Sequence, residues 1–249
     1  MSGNKVMIVT GGSRGIGAAT ALGAAGQGYR VCILYRSGRE RADEVVAAIA
    51  RAGGQGFAVQ ADVGDEADVS RAFAVLDERW GAPSVLVNNA GVTGGVSRVD
   101  SVTAAQIEET LRVNVTGSFL CAREAVRRMS TRHGGTGGAI VNLSSAAART
   151  GSPNVWVHYA ASKGAVDAMT IGLAREVAAE GIRVNAIRAG IIDTEIHATR
   201  DPRQFARMIA AVPMQRMGSA GDIADAVLWL ASDRASYVTG ALLDAAGGV

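Results

Sequence analysis

The chain has 249 residues, of which 48% are hydrophobic, and its formal net charge is only +2. This length fits one large α/β domain or two small ones, and the near-balanced charge gives no case for a nucleic-acid partner. The two cysteines lie in apolar or helical stretches and are expected to be reduced core residues, and the three histidines show no metal-ligand spacing. Strand-like sequence begins near the N-terminus and no apolar run reaches the roughly 18 residues of a membrane span, so we expect a soluble, cytoplasmic protein without a membrane partner.

The first strand pattern, Lys5 to Thr10, leads into a glycine-rich turn. The turn reads Thr-Gly-Gly-Ser-Arg-Gly-Ile-Gly up to Gly17, and a helical pattern follows over Ala18 to Gln27. A glycine-rich turn between a strand and a helix lets backbone N–H groups approach a phosphate, and the helix dipole adds to the attraction. No Gly-Lys-Ser/Thr sequence follows, which excludes a P-loop. The pattern predicts a dinucleotide site, with a merely flexible turn as the alternative.

The end of the second strand, Arg30 to Tyr35, favours NADP over NAD. In dinucleotide folds an acidic residue here accepts the ribose 2′-hydroxyl of NAD, whereas an arginine accommodates the 2′-phosphate of NADP. This chain has Arg36 at that position, and no acidic residue appears before Glu40. Arg14 in the glycine turn could reach the same phosphate, and two guanidiniums would bind it with charge-assisted hydrogen bonds. The alternative is that both arginines are simply solvated.

Strand and helix patterns continue to alternate along the chain. Helical stretches flank a third strand, Gln55 to Gln60, and a fourth strand spans Ser84 to Asn88. Later in the chain, one long helix is predicted over Thr103 to Thr131, the last helix over Asp222 to Ser232 and the last strand over Gly240 to Leu243. Such alternation predicts parallel βαβ units with right-handed crossovers, in which ligands bind at the carboxyl ends of the strands. Asp62 lies at such an end and is expected either at the adenine edge or as the N-cap of a turn. The Asn-Asn-Ala-Gly stretch that begins at Asn88 lies at another such end.

Tyr159 and Lys163 lie four residues apart at the start of a helical pattern that continues to Ala179. Residues at this spacing share one helix face. A nearby ammonium favours the phenolate form, so we expect a lowered Tyr159 pKa. Such a phenol can exchange a proton with a substrate, as general acid–base catalysis requires. Taken alone, the pair also fits an ordinary surface contact.

Three motifs together carry a family resemblance. Thr-Gly-x-x-x-Gly-x-Gly from Thr10, Asn-Asn-Ala-Gly from Asn88 and Tyr-x-x-x-Lys from Tyr159 occur in this order and at ordinary spacing. The whole chain thus resembles a single-domain short-chain dehydrogenase/reductase. The resemblance implies one Rossmann-type, doubly wound α/β domain over residues 1–249, with a mostly parallel seven-stranded sheet and helices on both faces. It also implies a homotetramer.

The resemblance implies a carbonyl/alcohol oxidoreductase with four catalytic residues. Tyr159 is the acid/base, Lys163 lowers its pKa and holds the nicotinamide ribose, and Ser145 hydrogen-bonds the reacting oxygen. Asn114, inside one long predicted helix, supports a water that links the lysine to solvent. A buried amide that is satisfied locally is the alternative for Asn114, and Ser144 is the alternative to Ser145.

The resemblance further implies NADP(H) as the cofactor, with NAD as the less favoured choice. The contacts come from the glycine turn, from the ends of the second to fourth strands, from the Tyr-x-x-x-Lys pair and from the end of the sixth strand. These residues are Gly11, Ser13, Arg14, Gly15, Ile16, Gly17, Arg36, Asp62, Val63, Asn88, Ala90, Gly91, Tyr159, Lys163, Gly190, Ile192 and Thr194.

Three departures from the family pattern bear on the site. The separation of Ser145 and Tyr159 is one residue longer than usual, in a stretch that is expected to border the substrate. Ala189 replaces the usual proline before the glycine of the sixth strand end, which frees φ and predicts a looser backbone beside the nicotinamide. Ala246 replaces an aspartate near the end of the chain.

The substrate is expected to be a small molecule with a carbonyl or alcohol group. Trp156, Val157 and the methionines of the variable segment 195–218 suggest a partly apolar pocket, which favours a ketone or a 3-oxoacyl group. A sugar (glucose 1-) dehydrogenase is the alternative within the family. A non-catalytic, nucleotide-sensing regulator is the alternative from another class.

Overall fold

The computed structural model describes residues 5–193 and 209–249, in which strands and helices alternate. A π-helical turn, Arg112–Thr116, lies between the fourth and fifth helices. The strands are β1 Val6–Thr10, β2 Arg30–Tyr35, β3 Gln55–Gln60, β4 Val85–Asn88, β5 Gly138–Ser145, β6 Ile182–Ala189 and β7 Leu242–Ala245. The helices are α1 Gly15–Gly26, α2 Arg39–Arg51, α3 Glu66–Trp80, α4 Ala104–Leu111, α5 Gly117–Met129, α6 Ala147–Thr150, α7 Val157–Val177 and α8 Ala220–Ala231.

The seven described strands form one sheet in the order β3-β2-β1-β4-β5-β6-β7. Each neighbouring pair is parallel. A parallel sheet is covered on both faces, so its central strands are largely buried and apolar, whereas the edge strands β3 and β7 are partly exposed. The five residues of β1, VMIVT, are all buried in this way. The predicted Rossmann-type, doubly wound fold is confirmed, and the described sheet is entirely rather than mostly parallel.

Two hydrophobic cores lie on opposite faces of the sheet because side chains alternate along each strand. In β1, Met7 and Val9 pack in the core formed with α1, α2 and α8, whereas Ile8 packs in the core formed with α3, α5 and α7. Within the two described ranges, no helix combines the length and the apolar character that crossing a membrane requires. A single domain over residues 1–249 stays a prediction, because residues 194–208 lie outside these ranges.

The helix predicted over 103–131 is not continuous. α4 begins after Thr103, whose side chain forms a capping box with Gln106, and the π turn Arg112–Thr116 then separates it from α5. Such π turns are rare and occur frequently at functional sites. Asn114 lies in this turn, and its amide bonds to neighbouring segments. An apolar pattern does not report a one-residue change of hydrogen-bond register, so the sequence predicted a single helix.

The last helix and the last strand begin at other residues than expected. α8 begins at Ala220 rather than Asp222, because Ser219 caps the helix and Asp222 closes a capping box. β7 begins at Leu242 rather than Gly240, because Gly240 has a left-handed φ of +75° that a strand residue does not adopt. Capping and turn chemistry, rather than the apolar pattern, sets both starting points.

Leu86 lies in β4 with no exposed surface. Alanine at this position leaves a cavity, so we expect Leu86→Ala to lower the free energy of unfolding by about 2–5 kcal/mol. Urea denaturation followed by circular dichroism measures the loss. Leu22→Ala, at a leucine of α1 that is 40% exposed, is the matched control and should cost less than about 1 kcal/mol. Equal losses in the two variants would contradict the core position of Leu86.

Candidate active site

A cavity of about 760 Å³ opens at the carboxyl ends of β1 and β4, where the strand order reverses. Open parallel sheets bind their ligands at such a reversal. Most of the residues predicted to contact the cofactor line this cavity. They are Gly11, Ser13, Arg14, Gly15, Ile16, Arg36, Asp62, Val63, Ala90, Gly91, Tyr159, Lys163, Gly190 and Ile192.

The glycine turn after β1 forms one wall of the cavity. Gly11 and Gly15 adopt left-handed φ angles of +63° and +54°, which are accessible to glycine at little cost. Arg14 is the N-cap residue of α1, and an arginine side chain has no acceptor with which to cap the helix N–H groups. The first turn of α1 carries no acidic side chain. This helix N-terminus therefore suits an anion, and the turn fits the pyrophosphate of a dinucleotide.

Thr10 and Asn89 clamp the ends of β1 and β4 together beside this turn. The Thr10 hydroxyl oxygen accepts hydrogen bonds from the backbone N–H groups of Asn89 (3.0 Å) and Ala90 (2.9 Å). In return, Asn89 Nδ2 donates to the carbonyls of Thr10 (2.8 Å) and Gly11 (3.1 Å). A Cβ atom on Gly17 would come within 2.5 Å of Asn89 Nδ2. Gly17, expected at the cofactor, instead lets α1 pack against the clamp and lies outside the cavity wall.

Asn88, also expected at the cofactor, faces the core instead. Its side chain is buried, and Nδ2 donates to Asn142 Oδ1 (2.9 Å) and to the Ser118 carbonyl (3.2 Å). Consecutive residues at a strand end point to opposite sides. Asn89, which the sequence analysis did not select, is therefore the asparagine of this pair that lines the cavity.

Arg36 and Asp62 line the cavity after β2 and β3 and are both paired. Arg36 Nη1 donates to Glu109 Oε1 at 2.7 Å, so Arg36 is not simply solvated. Asp62 Oδ1 accepts from the Gly64 N–H (2.9 Å), and Oδ2 accepts from Arg112 Nη2 (3.0 Å). Burial acts to raise the Asp62 pKa, but the bonds from Arg112 and Gly64 outweigh it and lower the pKa. Asp62 thus closes a turn and also lines the cavity, and its place at the adenine edge stays a prediction.

Ser145, Tyr159 and Lys163 lie together in the cavity wall. Ser145 Oγ donates to the Ala189 carbonyl at 3.4 Å and lies beside the Tyr159 side chain, and Lys163 Nζ lies 5.7 Å from the centre of the Tyr159 ring. Ser144, the alternative to Ser145, donates its hydroxyl to the Lys163 carbonyl at 3.3 Å. Because successive strand residues face opposite ways, Ser145 faces the phenol and Ser144 faces the backbone of α7.

Burial sets the pKa of both Tyr159 and Lys163. It raises the pKa of Tyr159, and the hydrogen bond from Ser145 only partly opposes this effect. It lowers the pKa of Lys163 to about 8, against the attraction of Asp167. The expected lowering of the Tyr159 pKa by its lysine neighbour is therefore wrong for this structure, because desolvation dominates. A phenol that keeps its proton in this way suits the role of proton donor.

Asn114 connects the π turn to two neighbouring segments. Its Oδ1 accepts from the Val92 N–H (2.8 Å), while Nδ2 donates to the Val92 carbonyl (2.9 Å) and to Ser162 Oγ (2.9 Å). The side chain therefore uses both of its N–H donors on protein acceptors, as the alternative of a locally satisfied amide states. It fixes the loop after β4 against α7, close to Lys163. A part in holding a water stays a prediction.

The loop between α6 and α7 forms the wall beside Tyr159. Trp156 is buried in it and packs edge-on against the Tyr159 ring, with centroids 5.9 Å apart. The extra residue between Ser145 and Tyr159 falls in this region, where Ser152 and Asn154 adopt left-handed φ angles of +43° and +63°. Asparagine tolerates such angles better than most residues, whereas serine is strained by them. This loop thus carries local backbone strain beside the cavity.

The backbone at the end of β6 bonds to β7 and packs against Ala246. The Gly190 N–H donates to a carbonyl of β7 at 3.1 Å, and a Cβ atom on Gly190 would come within 2.6 Å of Ala246 Cα. Ala246, the other departure from the family pattern, packs directly against this turn. The looser backbone expected from Ala189 stays a prediction. Thr194 and the variable segment before residue 209 lie outside the described residues.

Comparisons with known proteins agree over nearly the whole chain. The family profile described as enoyl-(acyl carrier protein) reductase matches residues 11–249. The chain is 51% identical to the Escherichia coli K12 oxidoreductase YgfF, covering 98% of this chain and 99% of that protein. It is 35% identical to the Staphylococcus aureus 3-oxoacyl-[acyl-carrier-protein] reductase FabG, with 100% and 99% covered. It is 40% identical to 3β-hydroxysteroid dehydrogenase 1 of Eggerthella lenta, with 98% and 93% covered.

Solved structures superimpose closely on the chain. A blue fluorescent protein from a metagenomic library, in complex with NADPH, matches with a TM-score of 0.91 and 35% identity over 99% of this chain and 98% of that one. A variant of a Serratia marcescens short-chain dehydrogenase/reductase matches with a TM-score of 0.92 and 33% identity, with the same shares covered. The chain belongs to the short-chain dehydrogenase/reductase family and is an oxidoreductase. Membership implies a nicotinamide cofactor, which the glycine turn and the α1 N-terminus fit.

Three residues that line the cavity or pair with its lining side chains were not predicted from the sequence: Asn89, Glu109 and Arg112. Asn89 was overlooked because the motif contains two asparagines and does not show which one faces the ligand. Glu109 and Arg112 carry no sequence signal, since the Arg36–Glu109 pair spans 73 residues of chain. Only the placement of α4 beside the end of β2 brings these charges together.

Lys163→Met removes the buried ammonium while keeping a side chain of similar length. The folded Lys163 loses its proton near pH 8, whereas an unperturbed lysine keeps it to about pH 10.5. Between these values the unfolded state binds more protons, so stability rises with pH. The free energy of unfolding of the wild type, relative to Lys163→Met, should therefore increase from pH 8 to about pH 10. Urea denaturation of both proteins across this range measures the difference, and a flat difference would contradict the low pKa.

Proposed function

We propose that the protein is an NADP(H)-dependent oxidoreductase that interconverts a carbonyl and a secondary alcohol by hydride transfer, and that it reduces a ketone or a 3-oxoacyl group. The observation that carries this proposal is that Ser145, Tyr159 and the buried Lys163 lie together in the wall of one cavity. A homotetramer in the cytoplasm is part of the same proposal and rests on the family resemblance.

The catalytic residues act on the substrate oxygen. When bound, the nicotinamide supplies the hydride for the carbonyl carbon. Tyr159 donates its phenolic proton to the oxygen as negative charge develops there. Ser145 donates a hydrogen bond to the same oxygen, and one such donor stabilises a transition state by about 3 kcal/mol. Hydride and proton together give the alcohol, and Tyr159 accepts the proton in the reverse direction.

Lys163 supports Tyr159 through its charge and is proposed to hold the nicotinamide ribose. Its Nζ is buried and donates to the Leu143 carbonyl at 2.6 Å, so its charge acts in a region of low dielectric constant. As Tyr159 gives up its proton, the ammonium stabilises the phenolate. Asp167 favours the charged form of Lys163 and is itself paired with Arg188 at 2.9 Å. A water relay from Lys163 past Asn114 belongs to the same proposal.

The cavity beyond Tyr159 favours a neutral, partly apolar carbonyl over a sugar. Apart from Lys163, the charged side chains among the described lining residues come from the glycine turn and from the segments that follow β2 and β3. FabG is named for a 3-oxoacyl substrate and the Eggerthella lenta relative for a hydroxysteroid, and both kinds of substrate suit such a wall. The lining on this side consists of Ala147, Thr150, Ser152, Trp156, Ile191 and Val249.

Arg36 supports NADP(H) as the preferred cofactor. It lines the cavity at the position where dinucleotide folds distinguish a 2′-phosphate from a 2′-hydroxyl. Arg14 lines the same cavity from the glycine turn, and Asp62, the lining acid after β3, is already engaged by Arg112. The structural relative in complex with NADPH agrees with this choice.

Purified protein should consume NADPH with one class in a carbonyl panel of an acetoacetyl thioester, cyclic ketones, α-diketones and keto-sugars. Tyr159→Phe should keep NADPH binding but lose turnover by at least about 100-fold, because it removes the proton donor and keeps the shape of the cavity. The absorbance of the reduced nicotinamide measures turnover, and its fluorescence measures binding.

Tyr237→Phe is the matched control, because it deletes the same hydroxyl from a fully exposed tyrosine and should keep full activity. Turnover retained in Tyr159→Phe would contradict the proposed role of Tyr159 as the proton donor. Turnover of keto-sugars alone would favour the sugar dehydrogenase. NADPH binding without turnover of any class, in either direction, would favour the regulator, although the retained Ser145, Tyr159 and Lys163 argue against it.

Arg36→Ala should weaken NADPH binding by about tenfold and NADH binding by less than about twofold, because only NADPH carries the phosphate that the guanidinium would bind. Fluorescence titration with each reduced coenzyme measures both constants. Arg39→Ala, at an arginine of α2 whose side chain is 83% exposed, is the control and should change neither. Equal weakening of the two coenzymes would exclude Arg36 as the phosphate ligand.

A further inference from the structure

Four charged side chains form a closed cluster beside the proposed phosphate ligand: Arg36, Asp62, Glu109 and Arg112. Glu109 joins the two arginines, since Oε1 lies 2.7 Å from Arg36 Nη1 and Oε2 lies 2.8 Å from Arg112 Nη2. Asp62 Oδ2 lies 3.0 Å from Arg112 Nη2 and 4.0 Å from Arg36 Nη1. Two cations and two anions therefore balance one another at this edge of the cavity.

Glu109 reaches the cluster from outside the cavity. It lies on α4, about one turn before the π turn, whereas Arg36 follows β2 and lines the cavity. The side chains of Arg36 and Glu109 are 52% and 40% exposed, so a ligand can reach the pair. Burial acts to raise the Glu109 pKa, but Arg112 and Arg36 outweigh it and lower the pKa. The carboxylate therefore keeps its charge throughout the neutral range.

We infer that Glu109 is a specificity-determining residue that competes with the 2′-phosphate of NADP(H) for Arg36, and this inference rests on the role proposed for Arg36. A nucleotide with a 2′-phosphate has to take Arg36 Nη1 from the carboxylate or share it. The phosphate also brings negative charge next to the negative charge of Glu109. A 2′-hydroxyl brings no charge and leaves the ion pair unchanged. Glu109 thus reduces the preference for NADP(H) over NAD(H) that Arg36 provides.

The opposite role would be that Glu109 holds Arg36 in position for the phosphate. The cluster argues against it, because Asp62 already places one carboxylate near the same Nη1 atom, within the cavity wall. Glu109 adds a second carboxylate to an atom that the phosphate needs. Removing its charge leaves Arg36 near Asp62 and leaves Arg112 bonded to Asp62. The cluster then has a net positive charge, which favours a phosphate.

Glu109→Gln tests the inference, because glutamine keeps the size and removes the charge. We expect the variant to bind NADPH roughly threefold to fivefold more tightly, the scale of an exposed ion pair, and to bind NADH unchanged. Fluorescence titration measures both coenzymes, and calorimetry with 2′,5′-ADP measures the phosphate end without the nicotinamide. Glu108→Gln is the matched control, since this exposed neighbour loses the same charge but pairs with neither arginine. Thermal melting of both variants checks the fold.

The double variant Arg36→Ala/Glu109→Gln completes the cycle. If Glu109 acts through Arg36, the gain in NADPH and 2′,5′-ADP binding should vanish when Arg36 is absent. This inference alone would be overturned if Glu109→Gln bound NADPH no more tightly than the wild type does, while Arg36→Ala still weakened NADPH binding more than NADH binding. An equal gain in Glu108→Gln would also overturn it, because the effect would then be one of net charge. If Arg36→Ala weakens both coenzymes equally, the cofactor assignment itself fails and the inference fails with it.

Discussion

The clamp between Thr10 and Asn89 is the constraint on which the cavity depends. Parallel strands leave a crevice where their order reverses, but the crevice has a fixed shape only if the two strand ends are tied together. The Thr10 hydroxyl and the Asn89 amide do this with hydrogen bonds of 2.8 to 3.1 Å. The glycine turn and the N-terminus of α1 then pack against these two joined strand ends. The glycine turn and the part of the cavity wall that contains Ser145, Tyr159 and Lys163 lie on either side of them.

Enclosure, rather than charge alone, sets the pKa of the two groups proposed to act in catalysis, Tyr159 and Lys163. Tyr159 and Lys163 sit close together, yet both are pushed toward their neutral forms by the protein around them. The phenol therefore keeps its proton until negative charge develops on a neighbouring oxygen. Asn114 contributes to this enclosure by tying the loop after β4 to α7. Because Lys163 loses its proton near pH 8, the support that its charge gives to Tyr159 declines as the pH rises through that value.

The fold and most of the cavity wall were predictable because they depend on local sequence signals. Buried strands, a glycine turn between strand and helix, and a fixed Tyr–Lys spacing all leave marks within a few residues. Three features left no such mark. The choice between Asn88 and Asn89 depends on which way a strand end faces, the direction of the Tyr159 pKa depends on how completely the ring is enclosed, and the Arg36–Glu109 pair depends on where two distant segments meet.

The π turn at Arg112–Thr116 joins α4 to α5, so that residues of one helical segment contact two different parts of the site. Before the turn, Glu109 faces Arg36, and within it Asn114 faces the region of Lys163. A π turn is equivalent to one extra residue in an α-helix, and one residue corresponds to about 100° of rotation. A relative that lost a single residue here would swing its α4 away from β2 while keeping Asn114 in place. By the role proposed for Glu109, one deletion would then change the coenzyme preference while the proposed catalytic residues keep their places.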